Sequence, residues 1–216
     1  CTNLIKNNCD ILIIDSLINS YEDIFPKIKT IFDSNKSYSK GKISFLKGDL
    51  RDTQWLDNVF YDHHKMKKPI TSVIHFAGLK SINNSIKSPI LYWDMNLTST
   101  ISLLSSMKKY DCRILIFSSS ATVYKTNGNK LLKEEDVLEP INTYGKTKLT
   151  IEEILKDLFN SDKSWRIANL RYFNPVGSHS SGLLEENPKL CSSNLFPSIM
   201  KVLNSSKSTL QIFGND

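Results

Sequence analysis

The sequence predicts an α/β fold built on a doubly wound parallel sheet, and three observations carry that prediction. Short apolar runs such as Ile11-Leu12-Ile13-Ile14 and Ile114-Leu115-Ile116-Phe117 each end in small or polar residues, the signature of strands buried on both faces. Longer stretches with apolar residues at helical spacing stand between these runs, so strands and helices alternate along the chain. Of the 216 residues, 40% are hydrophobic and 23% charged, enough to bury a core and too apolar for a disordered chain.

In chain order, the run 11–14 closes at Asp15, and Ile43-Ser44-Phe45-Leu46 follows, ending at Gly48-Asp49. Residues 53–66 place Trp55, Leu56, Val59, Phe60 and Met66 on one helical face, and Pro69 stops that helix. Val73-Ile74-His75-Phe76 reads as the next strand, closed by Ala77-Gly78. A long amphipathic stretch over 88–109 carries Leu91, Met95, Ile101, Leu104 and Met107. The strand 114–117 ends in Ser118-Ser119-Ser120, a helix follows over 143–160, and Ile167 to Tyr172 forms a fifth strand. Alternation of this kind implies right-handed crossovers and a sheet covered on both faces. Beyond it Pro175, Gly177, Gly182, Pro188 and Pro197 break the rhythm, and only Leu195–Leu203 reads as helical. In doubly wound sheets ligands bind outside the carboxyl ends of the strands, so this loop-rich segment is expected on the substrate side.

Composition narrows the function. No apolar run approaches the roughly 20 residues that span a bilayer, and no secretory signal is visible. Cys1, Cys9, Cys112 and Cys191 are widely spaced, without a Cys-x-x-Cys pair, which favours free thiols and a cytoplasmic protein. The net charge of +6 comes almost wholly from dispersed lysines, with Arg51, Arg113, Arg166 and Arg171 the only arginines, and this argues against a nucleic-acid partner. No metal-ligand spacing is visible; His75 reads as a core histidine, and Glu152-Glu153 as a water-facing pair.

The strand ends supply the candidate chemistry. An acid such as Asp15, closing a strand of a nucleotide-binding sheet, accepts bonds from both ribose hydroxyls; as a plain cap it would close a turn. Asp49 can accept from an adenine amino group or cap the helix at Thr53. Gly78 lets a ligand approach the backbone, or serves as a turn glycine. Tyr144 and Lys148 in Tyr144-Gly145-Lys146-Thr147-Lys148 lie four apart on one helical face. An ammonium beside a phenol favours the phenolate, which makes Tyr144 a general acid/base. The spacing alone occurs often by chance; Ser118-Ser119-Ser120 at the preceding strand end completes a proton-transfer set of serine, tyrosine and lysine.

Four strings taken together resemble the UDP-glucose 4-epimerase family of the extended short-chain dehydrogenase/reductase superfamily: Val73–Lys80, Phe117–Tyr124, Tyr144–Lys148 and Arg171–Gly177. The similarity runs in order over the whole chain, down to Ile212-Phe213-Gly214-Asn215-Asp216. It implies a Rossmann-like fold, with residues 1–173 as the NAD-binding domain and 174–216 as the start of a substrate-binding region. It further implies interconversion of UDP-galactose and UDP-glucose: tightly bound NAD takes the C4 hydride while Tyr144 removes the O4 proton, and the 4-keto sugar is reduced on its other face. Ser120 would bond O4, and Lys148 would hold the Tyr144 pKa down and bond the nicotinamide ribose. Asp15, Asp49, Leu50, Phe76, Ala77, Gly78, Lys80, Asn96, Ser118 and Tyr172 match the family's cofactor shell, together with Tyr144 and Lys148. Lys80, Ser120, Tyr144, Asn174 and Asn194 match its substrate contacts, and the intact enzyme is expected to be a homodimer.

The family opens with a first strand and a glycine-rich phosphate loop that this sequence does not contain; Cys1 to Asn8 reads as the remainder of the helix after that loop. The expectation is therefore an internal fragment, inactive as it stands because pyrophosphate binding relies on that loop and helix N-terminus. Nucleotide-sugar dehydratases that resemble this family carry an Asp-Glu pair where this chain has Ala121-Thr122. Epimerases of N-acetylated or uronic-acid UDP-sugars remain rivals, as does a non-catalytic dinucleotide-binding fragment.

Overall fold

The computed structural model describes residues 1–34, 41–125, 131–184, 189, 195–204 and 209–210. In chain order its elements begin with α1 (Thr2–Lys6), β1 (Ile11–Asp15), α2 (Ile24–Ser34), β2 (Ile43–Lys47), α3 (Thr53–Lys65) and β3 (Ser72–His75). Then come α4 (Ile82–Lys87), α5 (Pro89–Trp93), a π turn (Asp94–Thr98), α6 (Ser99–Lys109), β4 (Ile114–Ser120) and a 3₁₀ turn (Ala121–Val123). The last are α7 (Thr143–Ser161), β5 (Arg166–Tyr172) and α8 (Leu195–Leu203). The alternating parallel α/β class predicted from the apolar runs holds. Among the described residues no helix is long and apolar enough to cross a membrane.

The chain divides into two compact units, Cys1–Lys47 with Val176–Asp216, and Gly48–Pro175. In the first, β1 and β2 pair in parallel from Ile11↔Ile43 to Asp15↔Lys47. Phe25 of α2 stacks on Phe45 of β2 at 5.7 Å between ring centroids, and Ile5 and Ile31 are buried. The sequence reading assigns no element to residues 24–34. A helix forms there because Pro26 falls in its first turn, where a missing N–H costs no helical bond. All five residues of β1 are only half-buried, unlike the strand buried on both faces that the apolar run suggested. Among the described residues β1 pairs with β2 alone, and a two-stranded sheet shields its faces poorly.

In the second unit β3, β4 and β5 form a parallel sheet in which Ser72 pairs with Ile114 and Ile114 with Arg166. Because side chains alternate across a strand, His75, Leu115, Phe117 and Ser119 share one face, and all four are buried. On that face His75 meets Thr100 of α6, and Phe117 and Ser119 meet Lys148 and Glu152 of α7. The opposite face carries Ile74, Phe76, Ile114, Leu170 and Tyr172, each about two-fifths exposed or more. Among the described residues of this unit, the cover expected on both faces is thus present on one. α3 begins at a cap supplied by Asp52, which accepts from the Trp55 N–H at 3.0 Å, so Asp49 is not the cap of this helix.

Candidate active site

The carboxyl end of β4 and the start of α7 meet in the Gly48–Pro175 unit. Ser120 closes the strand and caps the 3₁₀ turn: its Oγ accepts the Thr122 N–H at 3.2 Å and the Thr122 hydroxyl at 3.0 Å. Asn142 caps α7 by accepting from the Gly145 N–H at 2.8 Å. Gly145 is buried here, because a Cβ would lie 2.5 Å from the Thr122 carbonyl oxygen and 2.9 Å from the Pro140 Cβ. The helix therefore sits directly on the turn that follows Ser120. With 3.6 residues per turn, Tyr144 and Lys148 then project from one side of α7 toward β4.

Lys148 is 5% exposed and donates from Nζ to the Ser118 carbonyl oxygen at 2.8 Å. Its Nζ lies 4.8 Å from the Phe117 ring centroid and 5.8 Å from that of Tyr144. Burial lowers its pKa to about 8, because a desolvated ammonium is disfavoured. The Tyr144 hydroxyl stands above its ordinary value: burial raises it first, a hydrogen bond with Ser120 opposes that, and nearby Tyr92 adds to the rise. This rise runs against the expectation that Lys148 holds the Tyr144 pKa down. Lys148 donates to the Ser118 carbonyl, and desolvation of the phenol outweighs the help from Ser120.

The loop after β3 lies beside this pair. Gly78 has φ 146°, and a Cβ there would stand 2.9 Å from the Asn96 Oδ1, so only glycine fits without strain. Asn96 belongs to the π turn, a widening that often marks a functional position. Its Oδ1 accepts from the Leu79 N–H at 2.7 Å, and its Nδ2 donates to the Leu79 carbonyl and to the Thr147 hydroxyl, both at 3.1 Å. The Asn96 amide is thus committed to holding the 78–80 loop against α7. Phe76 and Ala77 are exposed at the same strand ends, and Phe76 approaches Tyr172 at 6.3 Å between centroids. Lys80 and Asn174 are also exposed.

Asp49 lies apart from the proton-transfer set, beside half-buried Leu50. Its carboxylate takes the Arg51 guanidinium, 2.7 Å from Nη2 to Oδ2, and Arg51 also reaches Asp94. The Arg51 hydrogen bond holds Asp49 below the ordinary carboxylate value, so it is a pure acceptor at neutral pH. In the other unit Asp15 ends β1, where its Oδ1 accepts from the Leu17 N–H at 2.7 Å and the Ser20 hydroxyl at 3.2 Å. Leu17 takes φ 58° in that turn. Asn194 lies outside the described residues.

One buried cluster escaped the sequence reading. Glu152, expected to face water, is 6% exposed. Its Oε1 accepts the Ser119 hydroxyl at 2.5 Å, and Arg171 grips the carboxylate from Nε at 3.0 Å and from Nη2 at 2.7 Å. Arg171 also donates from Nη1 to the Tyr124 hydroxyl at 2.9 Å and the Glu134 carbonyl at 3.0 Å. The available signal was spacing: Glu152 falls four residues after Lys148, next to Ile151, on the buried side of α7. Its neighbour Glu153 is exposed. Among the described residues, no group of three or more His, Cys, Asp or Glu side chains is placed to hold a metal ion.

Three comparisons place this arrangement among known proteins. The chain is 41% identical over 205 residues to a UDP-glucose 4-epimerase of Cyamopsis tetragonoloba, covering 95% of this chain and 56% of that protein. It is 38% identical over 216 residues to a UDP-glucose 4-epimerase of Bacillus subtilis, covering 100% of this chain and 60% of that protein. The crystal structure of UDP-glucose 4-epimerase from Bifidobacterium longum in complex with NAD+ and UDP superposes with a TM-score of 0.88 at 39% identity, covering 98% of this chain and 60% of that one. The chain therefore spans less than two thirds of the length of these relatives. The family model described as GDP-mannose 4,6 dehydratase matches residues 1–216 throughout, and the chain belongs to that family.

Proposed function

We propose that the protein carrying this chain is an NAD-dependent UDP-glucose 4-epimerase that interconverts UDP-galactose and UDP-glucose. The observation that carries the reading is the meeting of Ser120, Tyr144 and desolvated Lys148 where β4 ends and α7 begins. The similarity to epimerases of plant and bacterial origin supports it. So does the Ala121-Thr122 pair, which offers no carboxyl group to protonate a leaving hydroxyl, as loss of water from the sugar would require.

Tyr144 is the acid/base in this reading. A sugar hydroxyl at its phenol oxygen exchanges its proton with Tyr144, and Ser120 bonds the same oxygen. Lys148 loses its ammonium charge as pH rises past about 8, before the raised Tyr144 phenol ionises, so that charge favours proton loss from Tyr144 only below that pH. Bound NAD supplies the hydride acceptor and donor for C4. The residues present fit that group: Asp49 is an acceptor that suits an amino group, and Gly78, whose missing Cβ makes room for Asn96, belongs to the strand-end loop assigned to it. Leu50, Phe76, Ala77, Lys80, Asn96, Ser118, Tyr144, Lys148 and Tyr172 are assigned to the same cofactor, and Asp15 to its ribose hydroxyls. Lys80, Asn174 and Asn194 are assigned to the UDP-sugar.

Residues 1–173 are read as the NAD-binding portion and 174–216 as the start of the substrate-binding region, within a cytoplasmic homodimer. The free thiols of Cys1, Cys9 and Cys112 suit a reducing compartment. The test uses the full-length product of the gene, supplied with UDP-galactose and no added NAD, beside Tyr144→Phe. Formation of UDP-glucose, with a loss of about 10²–10⁴-fold in the variant, is the expected outcome. No product from a folded, NAD-loaded protein moves the substrate to an N-acetylated or acidic UDP-sugar. Equal activity in Tyr144→Phe removes the tyrosine from its role.

A further inference from the structure

We propose that the buried Glu152–Arg171 pair, joined by Ser119, is a positioning device that sets the rotation and rise of α7 against β4 and so aligns the proton-transfer set; this rests on the function proposed above. Three successive turns of α7 reach the three serines that end β4. Tyr144 meets Ser120, Lys148 meets the Ser118 carbonyl at 2.8 Å, and Glu152 meets the Ser119 hydroxyl at 2.5 Å. The first two contacts are single hydrogen bonds. The third is anchored, because Glu152 is held from its other side by two Arg171 nitrogens on β5.

The charge itself argues for direction rather than stability. Burying an ion pair costs several kcal/mol in desolvation, and well-packed apolar side chains of similar volume often stabilise a fold as well or better. What an apolar pair cannot do is fix a helix in one rotation with a planar fork on a carboxylate. Both Glu152 oxygens are engaged here, by Ser119 and Arg171, so the buried charge is compensated. Arg171 extends the same lock to the segment after Ser120 through the Tyr124 hydroxyl at 2.9 Å and the Glu134 carbonyl at 3.0 Å. Four stretches that must hold still around Tyr144 thus share one guanidinium–carboxylate pair.

The experiment compares the full-length protein with Glu152→Gln and Ser119→Ala, by crystal structure and by turnover normalised to the NAD released on denaturation. In Glu152→Gln the Lys148–Ser118 hydrogen bond is expected to break. kcat per NAD-loaded site should fall about 10- to 100-fold with KM within about twofold, because misalignment removes an interaction used in the transition state and leaves ground-state binding. Ser119→Ala should show a smaller fall in the same direction, and it carries the test if Glu152→Gln does not fold. A purely structural pair would lower the yield of folded protein and leave kcat per loaded site unchanged; that result overturns the proposal. A fall in kcat with the Lys148–Ser118 bond intact overturns it too. A parent protein that turns over no UDP-sugar, while Glu152→Gln still loses that bond, defeats the function proposed above and leaves the positioning role standing.

Discussion

His75 lies in β3 with its Nε2 2.9 Å from the Thr100 hydroxyl, and Thr100 gives its own proton to the Asn96 carbonyl at 2.7 Å. The hydroxyl can therefore only accept from His75, which places a proton on Nε2. Burial first, and the Lys148 charge second, lower its pKa to about 3. An unfolded chain binds that proton near pH 6.5, so between about 6.5 and 3 the unfolded state holds more protons than the folded one. Stability accordingly falls as pH drops through that window, by up to about 1.4 kcal/mol per unit from this group. Urea titrations between about pH 7 and 5, above most carboxylate titration, should show that slope in the wild type and a flatter one in His75→Asn. At this scale the sequence was informative where spacing carries chemistry, as with Tyr144 and Lys148. It misled on Glu152, whose spacing from Lys148 marked the buried side of α7, because a glutamate on a helix reads as solvent-facing until its arginine arrives from a neighbouring strand.

Gly145 decides how α7 meets the turn after Ser120, and two opposing effects act on its replacement. Alanine favours a helix over glycine by about 1 kcal/mol. Its Cβ would also stand 2.5 Å from the Thr122 carbonyl oxygen, a backbone atom that cannot move without its turn. Overpacking of this kind costs about 1–3 kcal/mol, so the clash wins. Gly145→Ala should lower the urea midpoint, and in the full-length protein it should depress kcat because the turn carries Ser120. A higher midpoint would show that the turn yields. Element positions were largely legible: the strands at 11–14, 43–46, 114–117 and 167–172 and the helix at 195–203 all form, and the strand read at 73–76 forms one residue earlier, as Ser72–His75. The 88–109 stretch instead splits into α5, a π turn and α6, since Asn96 must face both Leu79 and Thr147. α2 went unseen because Pro26 reads as a breaker unless the helix start is already known.

For the molecule as a whole, burial was the part least legible. An apolar strand announces that it can be covered on two faces, not that it is. Among the described residues, Ile74, Phe76, Ile114, Leu170 and Tyr172 on one side of the three-stranded sheet are each about two-fifths exposed or more. Exposed apolar patches of this kind favour association, and a charge of +6 opposes it only weakly at physiological salt. The 216-residue chain alone should bind an apolar dye such as ANS and scatter light on concentration. Leu170→Lys should reduce both, and a parent chain that stays dark and monomeric contradicts the exposure. The pairing of that sheet has a further consequence in time rather than energy. Ser72 meets Ile114, and Ile114 meets Arg166, so each pairing waits for a helix-bearing crossover to close. Loop-closure entropy is spent before either contact forms, which slows folding relative to a bundle of the same helices. The helices therefore have time to form first, and the contacts of the serines that end β4 with α7, 30 and 33 residues apart in sequence, close shorter loops than either strand pairing.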